Sequence, residues 1–394
     1  MSLTLEEVLQ STKEQYKLKL LAGEKGITRI ISWALVMEDK YIAQYFFGNE
    51  LVVTSCLGAP NEEELMLFVQ LLVEKHAVGI VVNIGGYIFQ IPQSILDYCN
   101  AHKLPLLTMP WEMSMNAFIR NCCMKIFQNS QQEEAISKAF LQAIQAPGNY
   151  DLYSTTLAKS FHIHGTFTVI TYFIPPDVDR NSLDYKRAEQ RVRNVLVRMQ
   201  RNGILFFHDY YYILIANDAS DEQTEYLARR IIDLYQEFLS GKKISLGVGL
   251  SSEDVKYVAN SYRRAKAAMR MAIYLEKPQV HFSQMGFYQV LFSVDDPTIL
   301  LDFSRNTLKK LTDYDKKHGG SLADTLEAYL KYDCSVQLVS ENTFTHRNTI
   351  NYRIKKIKEL LDTDLESVEE KFTYLMAFHI RNMMQIPKHW SDYS

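Results

Sequence analysis

At 394 residues, with 47% hydrophobic and 23% charged residues, the chain has the make-up of a folded globular protein and is too long for one core, so two to four domains are expected. A net charge of −3 excludes a uniformly basic nucleic-acid coat, so any affinity for phosphate must be local. The longest apolar run, Val78 to Phe89, is broken by Asn83 and Gly85-Gly86 and falls short of the roughly 20 residues that span a membrane; with no cationic leader in MSLTLEEVLQ, a cytoplasmic location without membrane contact is expected.

Residues 1–128 read as an α/β unit. Apolar runs at Ile30 to Val36, Leu51 to Ser55, Gly79 to Ile84 and Leu104 to Thr108 alternate with helical patterns at Thr4 to Gln10, Glu62 to Lys75 and Ser94 to Asn100. That alternation predicts a mostly parallel sheet with helices over it. In such sheets ligands lie beyond the carboxyl ends of the strands. There the chain offers Thr54 and Ser55, Asn83 with Gly85 and Gly86, and Thr108 followed by Trp111, which makes them candidate ligand residues. Turn chemistry alone would also place Gly, Asn, Thr and Pro at strand ends. No phosphate-binding glycine motif occurs.

From Trp111 to Ile144 two helical stripes, one through Phe118 and Cys122 and one through Ile136 and Phe140, flank the polar NSQQEE. They predict a helix pair, for signalling or dimer formation or for ordinary packing, with residues 129–149 as a linker helix ended by Pro147-Gly148. Residues 150–285 form a second α/β unit. Strands are expected at Phe167 to Phe173, Ile204 to Phe207, Tyr210 to Ala216 and Ile244 to Leu250, and helices at Leu183 to Arg201, Glu222 to Leu239 and Val255 to Leu275. Strand alternation would bury Tyr211 and expose Tyr210 and Tyr212, or the reverse. Five cysteines, Cys56, Cys99, Cys122, Cys123 and Cys334, lack C-x-x-C spacing and read as reduced core residues.

Residues 286–320 connect onward, with Asp295-Asp296-Pro297 marking a helix start and Lys316 to Gly320 a hinge. Residues 321–394 should be all-α. Ser321 with Asp324 has capping-box spacing, a short helix follows at Val336 to Ser340, and the turn ENTFT places Thr345 as N-cap of a third helix. In that helix Ile350, Ile354, Ile357 and Leu361 line one face. His346 lies at its start. Asn348, Asn351, Tyr352 and Lys355 point away, flanked by Arg347, Thr349, Lys356 and Lys358, and with Arg353 the stretch from His346 to Lys358 holds five cations and no carboxylate. A cationic, amide-rich face on the second helix of a helix-turn-helix suits phosphates and base edges. A merely solvated basic helix has the same composition. The apolar neighbours of His379, on a closing helix from Ser367 to Met384, mark it as a core or boundary histidine.

The string His346-Arg347-Asn348-Thr349-Ile350-Asn351-Tyr352-Arg353-Ile354, with Leu360-Leu361 after it and Asp324-Thr325-Leu326 before it, resembles the C-terminal DNA-binding domain of the PucR family of bacterial transcription regulators. Ser340 and Thr343 depart from the small and large apolar residues usual there. Glu38, the run Gly48 to Thr54, Ile91-Pro92 and Leu104-Pro105-Leu106 are similar to the family's N-terminal domain, which implies a small-molecule effector, often a catabolic intermediate, and adds Glu38 to the ligand candidates. The middle unit resembles a GGDEF domain, but His208-Asp209-Tyr210 stands near its signature hairpin and Pro175-Pro176 replaces a metal-binding carboxylate. Two-metal nucleotidyl transfer needs carboxylates. The resemblance therefore implies a non-catalytic domain, with no catalytic residue, metal or cofactor.

The expected architecture is a multidomain α/β plus all-α chain: an α/β sensor, a degenerate GGDEF-like α/β domain and a helix-turn-helix. The expected function is a cytoplasmic, ligand-responsive regulator of a catabolic operon, for example for purine degradation. Its partners would be double-stranded DNA, a metabolite and a second copy of itself. The alternatives are a nucleotide-binding or catalytic GGDEF-like protein, or an interaction scaffold.

Overall fold

The computed structural model describes residues 3–199, 203–239, 242–294 and 296–384. These fall into two units, one reaching to Ala272 and including Glu276–Phe282, the other formed by Ile273–Leu275 and the residues from Ser283 on. The first unit begins with helix α1 (Leu5–Thr12) and strand β1 (Lys19–Ala22), then β2 (Trp33–Val36), β3 (Glu50–Thr54), α2 (Glu62–Glu74), β4 (Gly79–Ile84), α3 (Gln93–His102) and β5 (Leu106–Pro110). Their sheet has the order β1-β5-β4-β3-β2, with β2, β3, β4 and β5 parallel and β1 antiparallel to β5. Every residue of β3 is buried, as a central strand covered on both faces requires. One face packs on Phe68, Val69, Leu72 and Ile95 of α2 and α3, the other on Leu5 and Val8 of α1 and on Phe118.

Phe118 belongs to α4 (Met115–Gln145), one helix of 31 residues where two were expected. The polar NSQQEE contains no Gly or Pro to break the hydrogen-bond ladder, so it marks a solvent-facing stretch and not an interruption. At about 1.5 Å per residue the helix runs about 46 Å. Phe118 and Cys122 near its start are buried in the first core, and Ile136, Phe140 and Ala143 near its end are buried in the next.

That second core is built from α5 (Asp151–Leu157), β6 (Thr166–Phe173), α6 (Leu183–Met199), β7 (Gly203–His208), β8 (Tyr211–Asn217), α7 (Asp221–Phe238), β9 (Ser245–Val248), β10 (Ser252–Glu253), α8 (Val258–Tyr274) and β11 (Gln279–His281). The strand order is β11-β9-β6-β8-β7, with β10 added to β6. Helices α6 and α7 cover one face, α4, α5 and α8 the other. Tyr211 and Tyr212 are therefore both buried, and strand alternation exposes neither, while Tyr210 in the turn is exposed. The end of the helix expected to reach Arg201 lies outside the described residues, as does Asp295.

In the second unit α9 (Tyr288–Leu291) precedes α10 (Pro297–His318), α11 (Leu322–Lys331), α12 (Val336–Thr343), α13 (Arg347–Leu361) and α14 (Val368–Met384). Asp296 caps α10 by accepting from the Thr298 N–H at 2.9 Å. Leu308, Leu311, Leu326, Val339, Ile350, Ile357 and Phe378 form its core. All five cysteines are free. Among the described residues no helix is long and apolar enough to cross a membrane.

Candidate functional site

The apolar stripe of α13 is buried as its spacing predicts: Ile350, Ile354, Ile357 and Leu361 are its four buried residues. Arg347, Asn348, Thr349, Asn351, Tyr352 and Lys355 are exposed, and Arg353, Lys356 and Lys358 are half-buried. The last three differ in their partners. Arg353 donates to the Thr325 hydroxyl of α11 at 3.3 Å, and Lys356 pairs with Glu359 at 3.3 Å. Among the described residues no carboxylate pairs with Arg347, Lys355 or Lys358. A cationic, unneutralised face thus lies over a rigid apolar base.

Two caps differ from the sequence expectation. Helix α11 is capped by Asp315 of α10, whose carboxylate accepts from the N–H groups of Leu322 at 2.8 Å and Ala323 at 2.9 Å, while the Ser321 side chain makes no capping bond. A carboxylate from a packed neighbour outcompetes the local hydroxyl because it satisfies two orphan donors at once. Helix α13 is capped by His346, whose Nδ1 accepts from the Asn348 N–H at 3.2 Å, and not by Thr345, whose hydroxyl donates to the Thr343 carbonyl at 3.1 Å. His346 holds the turn between α12 and α13. His379 hydrogen-bonds the Tyr288 hydroxyl at 2.6 Å and meets the Phe287 ring edge, and burial lowers its pKa, as a boundary histidine held neutral requires.

At the carboxyl edge of the first sheet the expected ligand residues are gathered but occupied with one another. The Glu38 carboxylate accepts from the Thr54 hydroxyl at 2.9 Å and from the N–H groups of Ser55 at 2.7 Å and Leu57 at 3.1 Å. The Asn83 amide donates to the carbonyls of Met109 at 3.3 Å and Pro110 at 2.9 Å. Thr108 is buried within β5. The Trp111 ring lies over Gly86, where a Cβ would approach it to 2.3 Å, and Gly85 turns the chain at φ +112°. A ligand at this edge would meet a half-exposed Trp111 and Tyr87 edge-on to it, but few unused polar groups.

In the central domain the hairpin turn is Asp209-Tyr210, both at positive φ, with His208 opposite Tyr211. The His208 ring lies 3.1 Å from the Asp209 carboxylate, and Asp177 is ion-paired with Lys242. Among the described residues no group of three or more His, Cys, Asp or Glu could hold a metal ion.

Three family models match the chain: the purine catabolism regulatory protein-like family over residues 7–126, a GGDEF-like domain over 158–271, and the PucR C-terminal helix-turn-helix domain over 322–380. The chain belongs to the PucR family. The DNA-binding transcriptional activator AdeR of Bacillus subtilis (strain 168) is 29% identical over 143 residues, 36% of this chain and 34% of that protein. The proline-responsive transcriptional activator PutR of the same organism is 24% identical over 192 residues, 48% of this chain and 46% of that one. Its purine catabolism regulatory protein is 24% identical over 185 residues, 43% of this chain and 33% of that one. The chain spans about a third to a half of the length of these curated relatives.

Where this PucR-family motif carries Ser340 and Thr343, both hydroxyls are satisfied inside it. Ser340 donates to the Thr345 carbonyl at 2.8 Å and Thr343 to the Val339 carbonyl at 2.7 Å, so neither leaves an unpaired polar group. The turn also holds a residue the sequence reading passed over. Phe344 is 97% exposed and sits at φ +51°, a conformation that costs a non-glycine residue about 1–2 kcal/mol. The signal was present in ENTFT: a bulky aromatic where helix ends favour Gly or Asn. Phe344→Gly is expected to leave the melting temperature unchanged or raised while weakening DNA binding. Thermal melts beside a DNA titration would show this split, and equal DNA affinity would remove Phe344 from the interface.

Proposed function

We propose that the chain is a ligand-responsive transcription regulator that binds double-stranded DNA by placing α13 in the major groove. The observation that carries this reading is the outward face of α13: exposed Arg347, Asn348, Thr349, Asn351, Tyr352 and Lys355 over a buried isoleucine stripe, presented by α12 through a short turn. Residues at the amino end of the helix, Arg347 to Tyr352, face base edges, where amides suit adenine and guanidinium suits guanine. Lys355, Lys356 and Lys358 lie along the phosphates, while Arg353 works mainly as a brace to α11. The names of AdeR, PutR and the purine catabolism regulatory protein support regulation, and they support a catabolic operon as its target.

In this reading residues 1–128 receive the metabolite, 129–149 link them to a GGDEF-like domain at 150–285, and 286–320 connect to the DNA-binding domain at 321–394. The protein acts as a dimer, since one short motif covers little DNA and paired half-sites double the contacts. The test is recovery of bound fragments from the source genome at near-physiological salt, with Arg347→Glu as control. A recurring paired half-site recovered by the unmodified protein alone is expected. Recovery of the same fragments by both proteins would defeat the docking.

A further inference from the structure

The polar groups at the carboxyl edge of the first sheet are satisfied internally, and the opposite edge is different. A cleft of 370 Å³ lies between the amino ends of β2, β3 and β4 and the helices α6 and α7 of the central domain. Arg29 precedes β2, Asn49 precedes β3, and His76 precedes β4. Helix α6 faces them with Arg191, Asn194 and Arg198, spaced i, i+3 and i+7 and so on one side of the helix, and α7 adds Arg230. Four guanidinium groups thus line one small cavity, and among the described lining residues there is no carboxylate.

Their partners do not account for them. Among the described residues the side chains of Arg29 and Arg198 make no hydrogen bond or ion pair. Arg230 reaches only the exposed Asp233, at 3.5 Å. Arg191 donates to Nε2 of His76 at 2.6 Å and lies over the Phe238 ring at 5.7 Å. Because a guanidinium only donates, His76 must accept there and be neutral. Burial, then the charges of Arg191, Arg29 and Arg187, lower the pKa of His76, and only Glu237 opposes them. Arg29 is lowered by burial and by Arg198 and Arg191, which shows that the cations feel one another. Repulsion among half-buried like charges is relieved by an anion placed between them.

We propose that this cleft is a binding site for a compact small molecule carrying two anionic groups, phosphate or carboxylate. The volume suits a small metabolite, and the apolar lining, Val73, Val195 and Leu234, offers no Phe, Tyr or Trp face on which a nucleobase could stack. Guanidinium forks match both oxyanion types bidentately. The ligand would draw α6 toward the first sheet at the point where Asn49 and Asn194 already exchange reciprocal amide hydrogen bonds at 3.2 Å and Arg187 donates to the Phe46 carbonyl at 3.1 Å. The cleft thereby ties the first α/β layer to the central domain.

The inference goes beyond DNA recognition and is tested without DNA. Calorimetric titration of the full chain at constant ionic strength uses pyrophosphate and glutarate as two-anion probes and inorganic phosphate as the single-anion comparison. Saturable binding of pyrophosphate or glutarate, tighter than phosphate, is expected; which of the two wins identifies the anion type. Arg191→Gln with Arg198→Gln should weaken that binding by about a hundredfold or more. The unliganded double variant should melt no lower than the parent chain, because like charges have been removed. Absence of saturable binding by both two-anion probes, or equal affinity in the variant, would overturn the assignment.

Discussion

Arg347→Glu combined with Lys355→Glu will lower operator affinity by about two to four orders of magnitude while leaving the fold intact. Both side chains are exposed on α13, and among the described residues neither has a carboxylate partner, so reversal breaks no internal ion pair. The helix is held from its other side, by Ile350, Ile354, Ile357 and Leu361 against Leu326, Val339 and Phe378. On DNA each reversal removes a cation from the interface and sets a carboxylate against phosphate. The slope of log affinity against log salt should also fall by about two, one for each lost phosphate contact. Circular dichroism and a melting curve establish that the fold survives. Retained affinity in a folded variant would show that α13 does not carry the DNA.

Lys356→Glu makes an internal contrast, because Lys356 already pairs with Glu359. Its replacement sets two carboxylates three residues apart on one helix face, so part of its effect falls on helix stability and not on DNA. The comparison separates phosphate contact from loss of a local pair.

Much of this site was legible because it is local. The isoleucine spacing of α13 fixed which face is buried, and the absence of carboxylates from His346 to Lys358 fixed the sign of the other. The same holds for β3, β4 and β5, whose apolar runs need no partner information to be read as strands. Features that depend on a second segment were hidden. The cap of α11 comes from Asp315 in the preceding helix, and no local rule prefers it to Ser321. Strand β1, four residues with a polar start, exists only because β5 offers it an antiparallel edge. Tyr211 and Tyr212 are both buried because helices cover both sheet faces, which alternation along one strand cannot reveal. The arginine cleft joins residues 29, 76, 191 and 198, too far apart in the chain to form any pattern.

Gly247→Ala is expected to destabilise the first unit by about 3 kcal/mol or more. Glycine inside a strand marks a close approach of another backbone, and here the approaching element is α8. A Cβ at Gly247 would lie 2.1 Å from the Met269 nitrogen and 2.2 Å from the Ala265 carbonyl oxygen. Both are backbone atoms, so no side-chain rotation can make room. Two residues on, a Cβ at Gly249 would meet the Ser261 carbonyl at 2.3 Å, and the Ser261 hydroxyl there accepts from the Val169 N–H at 3.0 Å. Helix α8 answers with small residues, Ser261, Ala265, Ala268 and Ala272, all buried. Moving it outward to admit one methyl would break its fit along the whole sheet face. Gly148→Ala is the control, since nothing lies within 4 Å of its added carbon. Urea unfolding should separate the two variants clearly, and a Gly247→Ala protein as stable as Gly148→Ala would show that α8 does not lie on β9 as described.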